Sequence, residues 1–322
     1  MTKQMRIVVL DGYTLNPGDN PWDEVASLGK FEVYDRTPDE QIVSRAAGAE
    51  IILTNKTPLS AETLGRLAKL RLVSVLATGY NVVDVQAARE RGVPVSNVPI
   101  YGTDSVAQHV FALLLEMCSH VGLHDAAVRQ GQWSASEDFC FWRAPLVELA
   151  GKTMGIVGFG RIGRRVGEIA HAMGMGVLAC DVARGQAPPY TPFSWAEMDE
   201  LFASSDVVSL HCPLTAENEG FVNSALLGRM KKGAMFINTA RGGLVVESDL
   251  ADALSGGRPA AAAVDVVSAE PIKPDNHLLG AENCIITPHI AWASLEARQR
   301  LMKTTAQNVV AFLAGKPINV VN

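Results

Sequence analysis

The sequence has no Cys-x-x-Cys pair, and its five cysteines (Cys118, Cys140, Cys180, Cys212 and Cys284) are scattered through 322 residues. That scatter excludes a disulfide framework or zinc site and reads as reduced thiols in a cytoplasmic protein. A basic excess is missing too. With 34 acidic against 28 basic residues the formal net charge is −6. No nucleic-acid partner is expected, because holding a phosphate backbone takes a large basic surface. No apolar run approaches the length of a membrane span, so no membrane is expected, and the run in MTKQMRIVVLDG is too short for a signal peptide. Low-complexity tracts, a Ser-His-Asp elbow and a P-loop are also lacking. His120 and His124 stand four apart, a metal-ligand spacing, but no third ligand accompanies them, so no metal is expected.

What is present is alternation. The length exceeds one ordinary core and implies two domains. MRIVVLDG, FEVYD, EIILTN, RLVSVLAT and VPVSNVP read as strands, several of them wholly apolar, as when both faces are covered. Helical patterns such as SAETLGRLAKL, with a serine cap, lie between them. TDSVAQHVFALLLEMCSH predicts a buried helix capped by Thr103 or Asp104. Residues 121–150 show no clear period but carry Trp133, Phe139, Phe141 and Trp142, an aromatic arm that calls for a subunit partner. A second series follows: TMGIVGFG, GMGVLACD, SDVVSLHCP, GAMFINTA, AAAAVDVV and NCIITPH. SLEARQRLMKTTAQNVVAFLAG then predicts an amphipathic helix stopped by Gly315 and Pro317. The fold class is α/β, with parallel sheets flanked by helices.

The second series opens with a strand running into GFGRIG, so that Gly158, Gly160 and Gly163 form G-x-G-x-x-G at the start of a helical pattern. Gly158 permits the tight turn, Gly160 a close approach to a pyrophosphate, and Gly163 tight helix–strand packing. The amides of Arg161 and Ile162 then point at the phosphates. About 20 residues on, Asp181 ends the next strand, where an acid bonds the ribose hydroxyls and repels a 2′-phosphate. NAD(H) is the cofactor expected, although Arg184 close by is a residue that would favour the phosphate.

Ligands of such sheets sit beyond the carboxyl ends of the strands. Those ends carry Gly158, Asp181, His211-Cys212-Pro213, Thr239-Ala240-Arg241, Asp265 with Glu270 soon after, and His289. A histidine can pass a proton near neutral pH, a glutamate beside it favours the imidazolium, and an arginine fork holds a carboxylate. With a nicotinamide to move a hydride, the set describes reduction of a 2-keto acid or its reverse. Taken singly, Arg241 fits a structural ion pair, Glu270 a turn cap and His289 a satisfied core residue. Their joint arrival on one rim favours the chemistry.

Over essentially its whole length the chain resembles the D-isomer-specific 2-hydroxyacid dehydrogenases. GIVGFGRIG with Asp181, HCPLT, INTARGGLVVESDL, DVVSAEP and TPHIAW carry the likeness. It implies Arg241 as the substrate-binding arginine, Glu270 as the partner of the histidine, and His289 as the acid/base. It implies a discontinuous flavodoxin-like substrate domain, residues 1–100 plus 293–322, around an inserted Rossmann NAD-binding domain, 101–292. A homodimer through the cofactor domain and the 121–150 arm is implied as well. Thr239, Ala240, Arg241, Asp265 and His289 would touch the nicotinamide half, with Cys212 and Pro213 also beside the cofactor. LATGYNVVD, with Thr78 and Gly79, looks like the loop whose amides take the substrate carboxylate, and such a turn is an anion nest in its own right.

VVLDGYTLNPGD, TNKTPL, LATGYNVVD and HIAWAS are similar to the glycerate dehydrogenase (hydroxypyruvate reductase) branch. Trp292 would then line a small pocket, with ordinary packing as the alternative. Lys56 would add positive charge near the carboxylate, or else is a solvated loop lysine. Val246-Glu247 departs from the family pattern, in which an acidic or amide residue often precedes the glutamate. The reading is a reductase of hydroxypyruvate or glyoxylate. The alternatives are another 2-keto acid reductase such as 3-phosphoglycerate dehydrogenase, or a dinucleotide-sensing, corepressor-like binding protein.

Overall fold

The computed structural model describes residues 4–322. The chain divides into two compact units, one made of Met1–Gly102 with Ala293–Asn322, the other of Thr103–Trp292. The first is built on five strands: β1 (Arg6–Val9), β2 (Lys30–Val33), β3 (Ile51–Thr54), β4 (Leu72–Val75) and β5 (Val95–Ser96). All pair in parallel in the order β2-β1-β3-β4-β5, the flavodoxin-like arrangement. β3 and β4 are buried at every residue, which is why their sequences show no polar alternation. The helix expected in SAETLGRLAKL is one short piece, Ala61–Gly65, capped by Ser60 through a bond from the Thr63 amide.

The last thirty residues complete this unit. Ser294 caps the helix Leu295–Leu313, accepting from the Ala297 amide. Inside it Arg298 is buried and grips Asp19 with two bonds of 2.6 and 2.7 Å. Asn308, also buried, donates to the Asn97 carbonyl at 2.9 Å and accepts from the Asn319 amide nitrogen at 2.8 Å. The tail then lies along β5, with the Val321 amide bonding to the Val95 carbonyl at 2.8 Å.

Seven strands form the second unit: β6 (Thr153–Val157), β7 (Gly176–Cys180), β8 (Phe193–Trp195), β9 (Val207–Leu210), β10 (Met235–Asn238), β11 (Ala261–Val264) and β12 (Cys284–Ile286). They pair in parallel in the order β12-β11-β10-β9-β6-β7-β8. β8 lies at the sheet edge within TPFSWAEMDE, where three residues are too few to show a period. The helix Thr103–Ser119 packs against the helix Arg161–Ala172 and buries Val106, Val110, Leu114 and Met117. Thr103 and Asp104, expected as caps, belong to its first turn.

The arm differs from the sequence reading in one respect: it begins with a nine-residue helix, Val121–Arg129. That helix buries only Ala127, so it has no apolar face to read. Beyond it the chain is irregular, with Phe139 89% and Trp142 68% exposed. No single helix among the described residues is long and apolar enough to cross a membrane.

Candidate active site

In the second unit the strand order reverses between β9 and β6, and open α/β sheets bind ligands beyond the carboxyl ends at such a point. Gly158 follows β6 there with φ +90°, and a Cβ on it would lie 2.6 Å from the Cys212 nitrogen beyond β9. Only glycine lets these two strand ends approach. The helix Arg161–Ala172 starts at Gly160 without a side-chain cap, and a Cβ on Gly160 would meet nothing within 4 Å. The amides of Arg161, Ile162 and Gly163 therefore begin a helix beside open space, at its positive dipole end. Such a place receives a pyrophosphate.

Asp181, just after β7, is fixed beside this turn. Its Oδ2 accepts from the Phe159 amide at 2.6 Å and its Oδ1 from the Ala183 amide at 2.9 Å. Arg184 is ion-paired with Glu197. At the end of β10 the Asn238 side chain shapes the turn, accepting from the Ala240 amide at 3.0 Å and donating to the Arg241 carbonyl at 2.9 Å. Thr239 within that turn is 9% exposed, and its hydroxyl has no hydrogen-bond partner among the described residues. An uncapped helix start, an orphaned buried hydroxyl and a carboxylate at the next strand end fit a dinucleotide.

Two histidines end strands in this unit, and their surroundings separate them. His211, after β9, is pulled by burial down to about 3, and its Nε2 lies 2.9 Å from the Ser209 hydroxyl. It is neutral at physiological pH. Its neighbour Cys212 is pushed up by burial to about 11 and stays a thiol, while the Pro213 carbonyl takes a bond from Asn218 at 2.8 Å. His289, after β12, has φ +54°, and its Nδ1 stands 2.6 Å from Glu270 Oε2. With Nδ1 donating to the carboxylate, Nε2 is the nitrogen left to exchange a proton.

Glu270 is held on a loop that approaches the Arg241 turn closely. A Cβ on Gly242 would sit 1.9 Å from the Val267 carbonyl carbon, so the two loops touch backbone to backbone. Glu247, the first residue of the helix Glu247–Ser255, ties the same loop to that helix, accepting from the Ser268 amide at 2.6 Å, the Ser268 hydroxyl at 2.9 Å and Asn276 at 2.8 Å. The arginine side chain itself is exposed, its Nη1 donating to the Ala240 carbonyl at 2.6 Å.

Asp265 is 1% exposed, and its carboxylate is turned into the protein. Oδ1 accepts from the Thr287 hydroxyl at 2.6 Å and the Ile290 amide at 2.9 Å, Oδ2 from the Ala291 amide at 2.8 Å. Burial pushes its carboxyl up, but the donors, His109 and Thr287 foremost, outweigh this and hold it below the usual range. The residue expected beside the nicotinamide is thus also the anchor of the His289 loop. His109, which the sequence reading missed, lies 3.1 Å from Thr287 Oγ1 and 3.5 Å from Asp265 Oδ1. Trp292, half-buried, is the last residue of this unit.

The remaining expected residues belong to the first unit. The Thr78 hydroxyl donates to the Val98 carbonyl at 2.9 Å, and Asn97 donates to the Thr78 carbonyl at 2.7 Å, which fixes the turn before the half-buried Gly79. Lys56 is exposed, on a loop whose amides at Asn55, Lys56 and Thr57 converge on the Asp11 carboxylate. His120 and His124 do not form a metal site. His124 spends Nδ1 on the His120 carbonyl at 2.7 Å and accepts the Arg143 amide at Nε2 at 3.1 Å. No metal-holding cluster occurs among the described residues.

A cradle for a dinucleotide on one side of the switch point and a carboxylate-backed histidine on the other define a nicotinamide-dependent dehydrogenase. Residues 111–291 match the family described as D-isomer specific 2-hydroxyacid dehydrogenase, NAD binding domain. The chain belongs to the D-isomer-specific 2-hydroxyacid dehydrogenase family, NAD-dependent oxidoreductases acting on the CH–OH group of 2-hydroxy acids. It is 54% identical to a hydroxypyruvate reductase of Blautia hydrogenotrophica, across 99% of this chain and 100% of that protein. With a glycerate dehydrogenase of Methylorubrum extorquens it shares 41% identity, across 100% and 99% respectively. Among solved structures, an acyclic imino acid reductase in complex with NADPH and D-arginine superposes with TM-score 0.86 at 31% identity, covering 99% of this chain and 100% of that one.

Proposed function

We propose that this protein reduces hydroxypyruvate or glyoxylate with NADH, forming D-glycerate or glycolate. The observation that carries the reading is the 2.6 Å contact between His289 and Glu270, on the rim that also bears the dinucleotide cradle. The names of the two relatives above support the substrate class. When bound, the cofactor supplies a hydride to C2 of the keto acid. His289 delivers the proton from Nε2 to the carbonyl oxygen as charge develops there, and Glu270 stabilises the imidazolium that must precede this step. Arg241 holds the carboxylate and polarises the carbonyl, with the amides of Thr78 and Gly79 and the charge of Lys56 as further substrate contacts. Trp292 is assigned to the substrate pocket. Thr239, Ala240, Asp265, Cys212 and Pro213 are assigned to the cofactor side.

The preference for NAD is supported by the Asp181 carboxylate beside the glycine turn and by the commitment of Arg184 to Glu197. A cytoplasmic homodimer is part of the reading, its interface formed by the aromatic arm at 121–150. The test is His289→Ala, assayed by NADH absorbance loss with hydroxypyruvate and glyoxylate. The variant should bind NADH normally while kcat falls about 10²–10⁴-fold, the usual worth of a positioned acid/base. Normal turnover would sink the assignment. A panel of keto acids with NADH and NADPH in parallel tests the substrate and cofactor readings.

A further inference from the structure

We propose that His109, on the helix Thr103–Ser119, is a positioning residue that sets the geometry of the loop carrying His289. The inference rests on the reading of His289 as proton carrier. His289 holds φ +54°, a conformation that residues with side chains rarely adopt, so the loop around it must be restrained from outside. The restraint visible is Asp265, which grips residues on both sides of His289 through Thr287, Ile290 and Ala291. Asp265 is itself oriented from the opposite side, by His109.

The hydrogens available fix which group donates at each of these bonds. The Thr287 hydroxyl has one hydrogen, and at 2.6 Å from Asp265 Oδ1 it is spent on the carboxylate. Its oxygen, 3.1 Å from His109 Nε2, therefore accepts, and Nε2 must carry a hydrogen. The same N–H lies 3.5 Å from Asp265 Oδ1 and is shared toward it. Imidazole and hydroxyl thus form one directed series ending at the Asp265 carboxylate, which accepts in turn from the Ile290 and Ala291 amides that follow His289. Removing the imidazole takes a donor from Thr287 and from a buried carboxylate at once. Asp265 then gains freedom to turn, and the loop moves with it.

The test compares His109→Ala with His109→Gln, whose side-chain amide can place a donor where Nε2 stands. His109→Ala should lower kcat by about 10- to 100-fold, the scale of a reacting group displaced by a fraction of an ångström to an ångström. The NADH dissociation constant, read by protein fluorescence, should rise by much less than kcat falls, since β10 and β9 separate the glycine turn after β6 from β11. Amide hydrogen exchange at Ile290 and Ala291 should quicken, and His109→Gln should recover most of both effects. A His109→Ala protein with kcat within twofold and unchanged exchange at those amides overturns the proposal, as does a His109→Gln protein no better than His109→Ala. If His109→Ala does not fold, Thr287→Val breaks the same series and is read by the same two measurements. His289→Ala run alongside separates the two readings: turnover retained there refutes the acid/base role, whereas the exchange rates still judge the clamp.

Discussion

Gly242→Ala is the substitution through which the site's dependence on backbone contact can be measured. The added Cβ would lie 1.9 Å from the Val267 carbonyl carbon, 2.1 Å from its oxygen and 2.4 Å from the Ser268 nitrogen. Ordinary contact begins near 3.4 Å, so the Arg241 turn and the Glu270 loop must separate by about 3.4 − 1.9 = 1.5 Å. No flexible side chain is there to yield; backbone must move against backbone. Overpacking of this kind costs about 1–3 kcal/mol in stability, which lowers Tm by roughly 5 °C in a unit of this size. The larger effect falls on chemistry. Displacing Arg241 from the Glu270–His289 pair by about an ångström should reduce kcat/KM about 10²-fold, close to 2.7 kcal/mol of transition-state stabilisation. Steady-state assays with hydroxypyruvate give this number, and fluorescence titration with NADH should show a smaller loss, because the glycine turn after β6 is untouched. Gly243→Ala is the internal control: its Cβ would meet the end of the Leu214 side chain at 2.9 Å, which can swing aside. A Gly242→Ala protein that folds and keeps kcat/KM within about threefold would refute the claim that this contact positions the arginine.

The carboxyl of Asp265 lies below its ordinary value of 3.8 in the folded protein, so it contributes stability that is full above pH 3.8 and is lost as pH falls through the lower folded value. Thermal melts from pH 3 to 6 should show this loss for the native protein and a flatter profile for Asp265→Asn. Glu197→Ala releases Arg184 from its ion pair, and should raise kcat/KM with NADPH several-fold while leaving that with NADH little changed. On the homodimer proposed above, replacing the exposed Phe139 and Trp142 by serine should shift the protein toward monomer in sedimentation velocity without loss of secondary structure by circular dichroism.

Much of this fold is legible before any coordinates, for a specific reason. Strands buried on both faces are written as mainly apolar runs without polar alternation, and IILT and LVSV are such runs, their single polar residues Thr54 and Ser74 buried with the rest. A site assembled from strand ends inherits that legibility: Glu270 and His289 stand out because each follows such a run by a few residues. What stayed hidden has no periodic signal. β8 is three residues long, and the helix Val121–Arg129 buries a single alanine. His109 lies on a helix whose apolar residues surround it, where a lone histidine reads as packing. Its meaning depends on Thr287, 178 residues away. Gly242 reads as one more turn glycine until Val267 is seen against it.

The division of the first unit across both ends of the chain has a consequence for its synthesis. Asp19 waits for Arg298, 279 positions later, and the Asn97 carbonyl waits for Asn308. On the ribosome, the first five strands emerge without the helix that covers them, and the second unit is translated in full before that helix appears. That second unit is one continuous stretch, Thr103–Trp292, so it can fold while the first remains open. The non-local pairings make the first unit the slow and aggregation-exposed half of the molecule, whatever its final stability. Deleting the helix Leu295–Leu313 would therefore leave a nascent sheet uncapped for good, rather than a protein merely shortened at one end.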